Sequence, residues 1–166
     1  MTYEFDPEYR FDEPVSDGAK GEVIEFALGF DPDTDLVVLM SVMLVATDKR
    51  ETMEFCFGIR TRIGDGPASE PDYSKETVDR YIPKIARPII KETIRRCIAR
   101  LVPSSMPENI IMETYYPDLE PKALEKYQPI CRAIVSCGYV IDDEFRDPDS
   151  GIDFWLFGRK VEESPP

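Results

Sequence analysis

The chain has 166 residues, 20 of them basic and 33 acidic, giving a net charge of −13, and it has no histidine. Its 42% hydrophobic and 32% charged residues describe ordinary globular material of single-domain length, with apolar mass enough for a core. The missing histidine excludes Ser-His-Asp and Cys-His catalysis, histidine-ligated zinc and an imidazole switch, and the acidity argues against general nucleic-acid or anionic-membrane binding.

Residues 1–20 interleave aromatic and acidic side chains. Tyr3, Phe5, Tyr9 and Phe11 alternate with Glu4, Asp6, Glu8, Asp12 and Glu13, and Pro7 and Pro14 interrupt any helix or strand. Two readings stand: a partly disordered tail, or an arm docked through its aromatics with its acids placed for a basic surface. No apolar signal core opens the sequence, and no run approaches the roughly 18 residues that span a bilayer. A cytoplasmic location is the expectation.

A three-stranded meander follows. Ile24, Phe26, Leu28 and Phe30 share one face of a strand over 22–30. The run over 36–45 is apolar on both faces, which marks a central strand covered on both sides. Met53, Phe55, Phe57 and Ile59 alternate along a third strand over 51–60. Asp31–Asp35 and Thr47–Arg50 are the turns. Residues 63–73 read as a loop. The back of the central strand needs a second covering layer, which a homodimer, the arm or the C-terminal hairpin would supply.

Residues 74–103 carry the longest helical signal. Val78, Ile82, Ile85 and Ile89, then Ile90, Ile94, Cys97 and Leu101, step by three and four, as one buried helix face does. Ser74 is the expected N-cap and Pro103 the expected stop. Pro83 and Pro88 predict a kink near Arg87, or else a short helix over 75–82 followed by a second. The other face is basic. Arg80, Lys84, Arg87, Lys91 and Arg95 lie along it, and residues 80–100 hold seven Lys/Arg against one acid. A pair of Glu92 with Arg96 at i,i+4 is expected there.

After it, 109–116 reads as a strand. A second helix begins near Pro121, with Leu124, Tyr127, Cys131 and Ile134 buried and Gly138 just past its end. A hairpin over 139–145 and 152–158 closes the fold, and residues 161–166 form a tail. The expected class is α+β: a mainly antiparallel sheet, in the order β-β-β-α-β-α-β-β, with one long amphipathic helix on one face. Residues 21–160 form the single domain, and no repeat is present.

The chemistry-bearing patterns are incomplete. Asp31, Asp33 and Asp35, and again Asp147, Asp149 and Asp153, place carboxylates at alternate positions as calcium loops do. Leu36, Val42 and Ile152 stand where such loops need glycine or glutamate, so structural turns are expected. Asp142, Asp143 and Glu144 sit together, but on the neighbouring strand Asp153 is followed two residues later by Trp155, where a nuclease pattern needs lysine. No phosphate-binding glycine loop or nucleophile elbow occurs. Cys56, Cys97, Cys131 and Cys137 form no CxxC pair and read as buried thiols. Trp155, beside Phe154 and Phe157, reads as core or interface packing.

Composition thus points to a non-enzymatic cytoplasmic binding protein that acts on another protein through an acidic surface, in the manner of an inhibitor, an immunity protein or a nucleic-acid mimic. The alternative is a metal-dependent hydrolase using Asp142, Asp143 or Asp147. The candidate binding residues are Arg80, Lys84, Arg87, Lys91 and Arg95 on the helix and Tyr3, Phe5, Tyr9 and Phe11 in the arm. No catalytic residue, metal site or cofactor is expected. A protein partner is expected, with a homodimer as a further candidate, and no membrane contact and no nucleic acid.

Overall fold

A computed structural model describes residues 4–5, 15–16 and 21–162. Six long strands form one mixed sheet, with two two-residue strands, β1 (Glu4–Phe5) and β2 (Val15–Ser16), on its first edge. The long strands are β3 (Gly21–Asp31), β4 (Leu36–Ala46), β5 (Thr52–Ile63), β6 (Asn109–Glu113), β7 (Tyr139–Arg146) and β8 (Asp153–Arg159). Their order is β1-β3-β4-β5-β6-β8-β7, with β2 also on β3. The α+β class holds, but the sheet is mixed where a mainly antiparallel one was expected: β5 and β6 run parallel.

That parallel pair is short. Its register covers only Thr52–Glu54 against Asn109–Ile111, at the start of both strands. Beyond it the strands part. The free side of β5 is taken instead by the chain on its way to the helices. Ile59 and Asp72 exchange two backbone hydrogen bonds of 2.8 and 2.9 Å, and Ser69 N–H donates to Thr61 C=O at 2.8 Å.

The long helical signal resolves into two helices. α1 (Lys75–Tyr81) is followed by a 3₁₀ turn (Lys84–Ala86) and then α2 (Arg87–Ser105). Ser74 caps α1 as expected, its hydroxyl accepting from the Thr77 N–H at 3.2 Å. Pro83 breaks the ladder, and Pro88 sits in the first turn of α2, where its missing N–H costs nothing. Pro103 does not end the helix. α2 runs two residues further and stops at Met106, which adopts the left-handed conformation with φ 42°. The break also resets the helix phase. Ile82, Ile90, Ile94, Cys97 and Leu101 are buried, but Ile85 and Ile89, expected in the same stripe, are exposed.

The second helical region is likewise divided: α3 (Pro121–Leu124), a 3₁₀ turn (Glu125–Tyr127) and α4 (Gln128–Ser136). Tyr127, Ile130, Cys131 and Ile134 are its buried face, and Gly138 follows with φ 97°. β6 ends at Glu113, three residues short of the expected strand.

The core lies between the sheet and these helices. Ile24, Phe26 and Leu28 of β3, Val38, Met40, Val42 and Leu44 of β4, and Phe55, Phe57 and Ile59 of β5 all face it. Trp155 and Phe157 extend it across β8. On the opposite face of β4, Leu39 and Ser41 are also buried. Ser41 donates to Glu25 at 2.7 Å, and Arg60 donates to the same carboxylate oxygen at 3.1 Å. Part of that back face is therefore closed by polar pairing across β3, β4 and β5.

Candidate anion-binding cleft between the helices

Where β5 and β6 part, the helix side of the sheet carries a run of rings. Phe57 meets Tyr73 edge-on at 4.8 Å and Tyr127 at 6.1 Å, and Tyr127 stacks on Trp155 at 5.2 Å. Tyr73 is held in place by its neighbour Asp72. That carboxylate accepts from the Ser74 N–H at 2.8 Å, the Thr77 hydroxyl at 2.5 Å and the Tyr116 hydroxyl at 3.0 Å. Partial burial would raise the Asp72 pKa, but these donors outweigh it and hold the group below the usual carboxylate value.

With Tyr73 in its lining, α1, the start of α2 and α3 enclose an open cleft of about 630 Å³. Its floor is apolar: Val78, Ile82, Ile90 and Ala123. Its walls carry five cations, Lys75, Arg87, Lys91, Lys122 and Lys126, against two acids, Asp79 and Glu120. A smaller pocket of about 30 Å³ between α2 and α4 shares Tyr73, Lys91 and Lys126 with the cleft and adds Arg95 and Phe57. Arg87, Lys91 and Arg95 reach this region because they repeat every four residues along one side of α2.

Not every cation is equally available. Asp79 is shared by Lys75 and by Arg87, the latter at 2.5 Å, and both pairs hold its pKa down. Arg95 forms a two-pronged pair with Glu92, at 2.6 and 2.8 Å. Arg96, the expected i,i+4 partner, acts on Glu92 as well, and both cations hold its pKa below the usual carboxylate value. Arg87 Nε is buried and has no hydrogen-bond partner among the described residues. Lys126 sits deeper. Its Nζ lies 5.3 Å from the Tyr73 ring centre and 5.5 Å from that of Tyr127, and it donates to the Tyr73 carbonyl at 3.4 Å. Burial lowers its pKa, with Asp72 pulling the other way. Tyr73 is pushed up by burial, opposed by Arg87.

Of the five helix residues singled out by spacing, then, Arg87 and Lys91 line the cleft and Arg95 its inner pocket. Arg80 does not converge with them: its guanidinium lies 5.3 Å over the Tyr81 ring, beside a separate surface hollow at Asp72 and Glu76. Lys84 is exposed in the 3₁₀ turn. In the arm, Tyr3, Tyr9 and Phe11 lie outside the described residues, and Phe5 is described only as a strand residue paired with Gly29. Tyr73, Lys122 and Lys126 escaped the sequence reading. The available signal was the i,i+4 spacing of Lys122 and Lys126 on one helical segment.

No group of three or more His, Cys, Asp or Glu side chains able to hold an ion occurs among the described residues. Asp147 is engaged in its own turn, accepting from Ser150 Oγ at 2.5 Å and from the Asp149 and Ser150 N–H groups. Asp142 lies over Gly158 instead of beside Asp143. The metal-dependent hydrolase reading finds no such group among the described residues. All four cysteines are free thiols.

No protein-family profile matches the chain, and no curated protein matches it in sequence. Among solved structures it is similar to a spermidine N-acetyltransferase, SpeG, from Vibrio cholerae in a point-mutant form, at 14% identity and a TM-score of 0.34 over 85% of this chain and 65% of that one. A chimera of the same enzyme with hSSAT gives 14% identity and a TM-score of 0.35 over 81% and 64%. A second such chimera gives 15% and 0.32 over 85% and 66%. The chain thus spans just under two thirds of the length of these chains. The similar structures are enzymes, and the expectation of a non-enzymatic protein-binding module of the inhibitor or mimic kind is corrected accordingly. Likeness at this level assigns no activity or site to this chain. No helix among the described residues is long and apolar enough to cross a membrane.

Proposed function

We propose that the cleft between α1, α2 and α3 binds a small organic anion with an extended apolar part, and that the chain transfers an acyl group carried by that ligand. The ligand class is an acyl thioester on a phosphate-bearing carrier. Acyl transfer is the activity printed for the solved structures similar to this chain. For this chain it is a proposal, and what supports it is the cleft.

The observation that carries the reading is the convergence of Arg87, Lys91, Lys122 and Lys126 over an apolar floor in a protein of net charge −13. Such a wall is unfavourable unless something anionic occupies it or solvent screens it. Guanidinium and ammonium groups make short charge-assisted bonds to phosphate, and the floor takes the apolar portion.

Isothermal titration calorimetry of the full chain with coenzyme A and acetyl-coenzyme A tests the binding step. Release of free thiol in the presence of primary amines tests the transfer. The expected result is binding that weakens with salt and falls roughly tenfold or more in Arg87→Ala/Lys91→Ala, since a bond to a charged group contributes about 1.5–3 kcal/mol. No binding at millimolar ligand, or an affinity unchanged in that variant, overturns the reading.

A further inference from the structure

Seven of the eight lysines lie among the described residues, and six of them, Lys49, Lys75, Lys84, Lys91, Lys122 and Lys160, are exposed. Lys126 is the seventh. It is half-buried, it lines both the open cleft and the inner pocket, and its ammonium lies over two tyrosine rings. The groups that face it are Asp72 and Tyr73 from the segment before α1, Lys91 and Arg95 from α2, and Tyr127 beside it. Of these nearest groups two are cations and Asp72 is the acid, and across the open cleft stand Lys75, Arg87 and Lys122 with Asp79 and Glu120. Burial favours its neutral amine, the form that attacks carbonyl carbon.

We propose that Lys126 is an acylation site of this chain, its amine taking the acyl group from a thioester held in the cleft. This rests on the cleft being an acyl-donor site. The unprotonated Nζ adds to the thioester carbonyl carbon. The carbon–sulfur bond then breaks, the sulfur leaves with the bonding electron pair, and the proton shed by nitrogen passes to that sulfur. The products are an amide on Lys126 and a free thiol, with nothing oxidised or reduced. Holding the carbonyl beside a fixed amine supplies the proximity that Lys49, Lys84 and Lys160, which line neither the cleft nor the inner pocket, lack. The amide is uncharged, so the reaction removes one of the five cations from the cleft. Acylation therefore weakens binding of the next anionic donor, which makes Lys126 a brake on the site it lines.

The test incubates the folded full chain with acetyl-coenzyme A and, separately, with the acetyl thioester of N-acetylcysteamine, which carries no phosphate. Acetylated lysines are then mapped by peptide mass spectrometry, with Lys126→Arg as the control. The expected result is acetylation of Lys126 several-fold faster than of Lys49 or Lys160, with that peptide lost in Lys126→Arg while circular dichroism stays unchanged. Faster labelling by acetyl-coenzyme A than by the short thioester supports both the site and the donor cleft. Equal labelling of Lys126 by both keeps the acylation site and overturns the phosphate-binding cleft. Labelling of Lys126 no faster than that of Lys160 by either thioester overturns the acylation site, whatever calorimetry shows for the cleft. In Lys126→Gln, which mimics the neutral amide, affinity for coenzyme A should fall several-fold. An unchanged affinity overturns the brake.

Discussion

The phenol of Tyr116 donates to Asp72 Oδ1 at 3.0 Å, which ties the loop after β6 to the segment that leads into α1 across the opening between β5 and β6. Asp72 also orders the first turn of α1 through Ser74 and Thr77. Its pKa is lower in the folded chain than its ordinary value of 3.8. A depressed carboxylate stabilises the fold above its unfolded pKa, and that contribution is lost as pH falls through the folded value. Asp72→Asn should therefore lower the melting temperature at pH 7, and the gap to the wild type should narrow below about pH 4. A gap that stays constant down to pH 3 would show that the carboxylate charge is not what matters. Tyr116→Phe should cost less, on the order of 1 kcal/mol, because the bond it removes is exposed.

Gly58 stands where the returning segment crosses β5. A Cβ placed there would lie 2.8 Å from Pro71 Cβ and 2.9 Å from the Asp72 nitrogen. Asp72 is pinned to Ile59 by two backbone bonds, so the segment cannot retreat without breaking them. Gly58→Ala should destabilise by about 1–3 kcal/mol, as overpacking does. It should also raise amide exchange at Ile59 and Asp72 more than in β4. Unaltered exchange at those two amides would mean that the segment yields without strain.

The legible part of this fold was local periodicity. Val38, Met40, Val42 and Leu44 announce the core face of β4 by alternation alone, and Trp155 is buried as its neighbours suggested. What the sequence hid depends on distant partners. Ile85 and Ile89 fit the helical stripe on paper, but the turn between Pro83 and Pro88 rotates them outward. The parallel pairing of β5 with β6 is a register set across both helices, and no local pattern encodes it. Arg87 and Lys91 were visible as a basic repeat. Lys126 was not, because its half-burial comes from Tyr73, 53 residues earlier in the chain.

The thiols supply a chemical check on the packing. Burial pushes Cys56, Cys97 and Cys131 up to about 12, so almost no thiolate is present near neutrality. For Cys56, Glu54 adds to the effect and Tyr115, as a hydrogen-bond partner, opposes it. Cys137 is raised less, by burial alone, and is half-buried. At pH 8 the folded protein should react slowly with an aromatic disulfide reagent, Cys137 first, and all four thiols should react rapidly in denaturant. Fast reaction of Cys97 or Cys131 in the native state would contradict the packing of α2 on α4.

The stack of Trp155 on Tyr127 links the sheet to the turn that carries Lys126. Trp155 is 1% exposed, and its indole N–H has no hydrogen-bond partner among the described residues. Two terms therefore compete when it is replaced. Removing the whole ring leaves a cavity, which for Trp→Ala typically costs about 3–5 kcal/mol. Replacing it by phenylalanine leaves a smaller void and also removes a buried unsatisfied donor, whose presence itself costs about 1–3 kcal/mol. Trp155→Phe should accordingly lose less than about 2 kcal/mol, and Trp155→Ala distinctly more, as read from urea midpoints at constant slope. The site should follow the same order. Without the indole, Tyr127 loses its backing, and the 3₁₀ turn that sets the position of Lys126 is freed. Coenzyme A affinity and selective acylation of Lys126 should both survive Trp155→Phe. In Trp155→Ala, assayed where it is still folded, selectivity for Lys126 should fall toward that of the exposed lysines. If Trp155→Ala keeps that selectivity while losing several kcal/mol of stability, the stack serves the core alone and Lys126 is positioned by Tyr73.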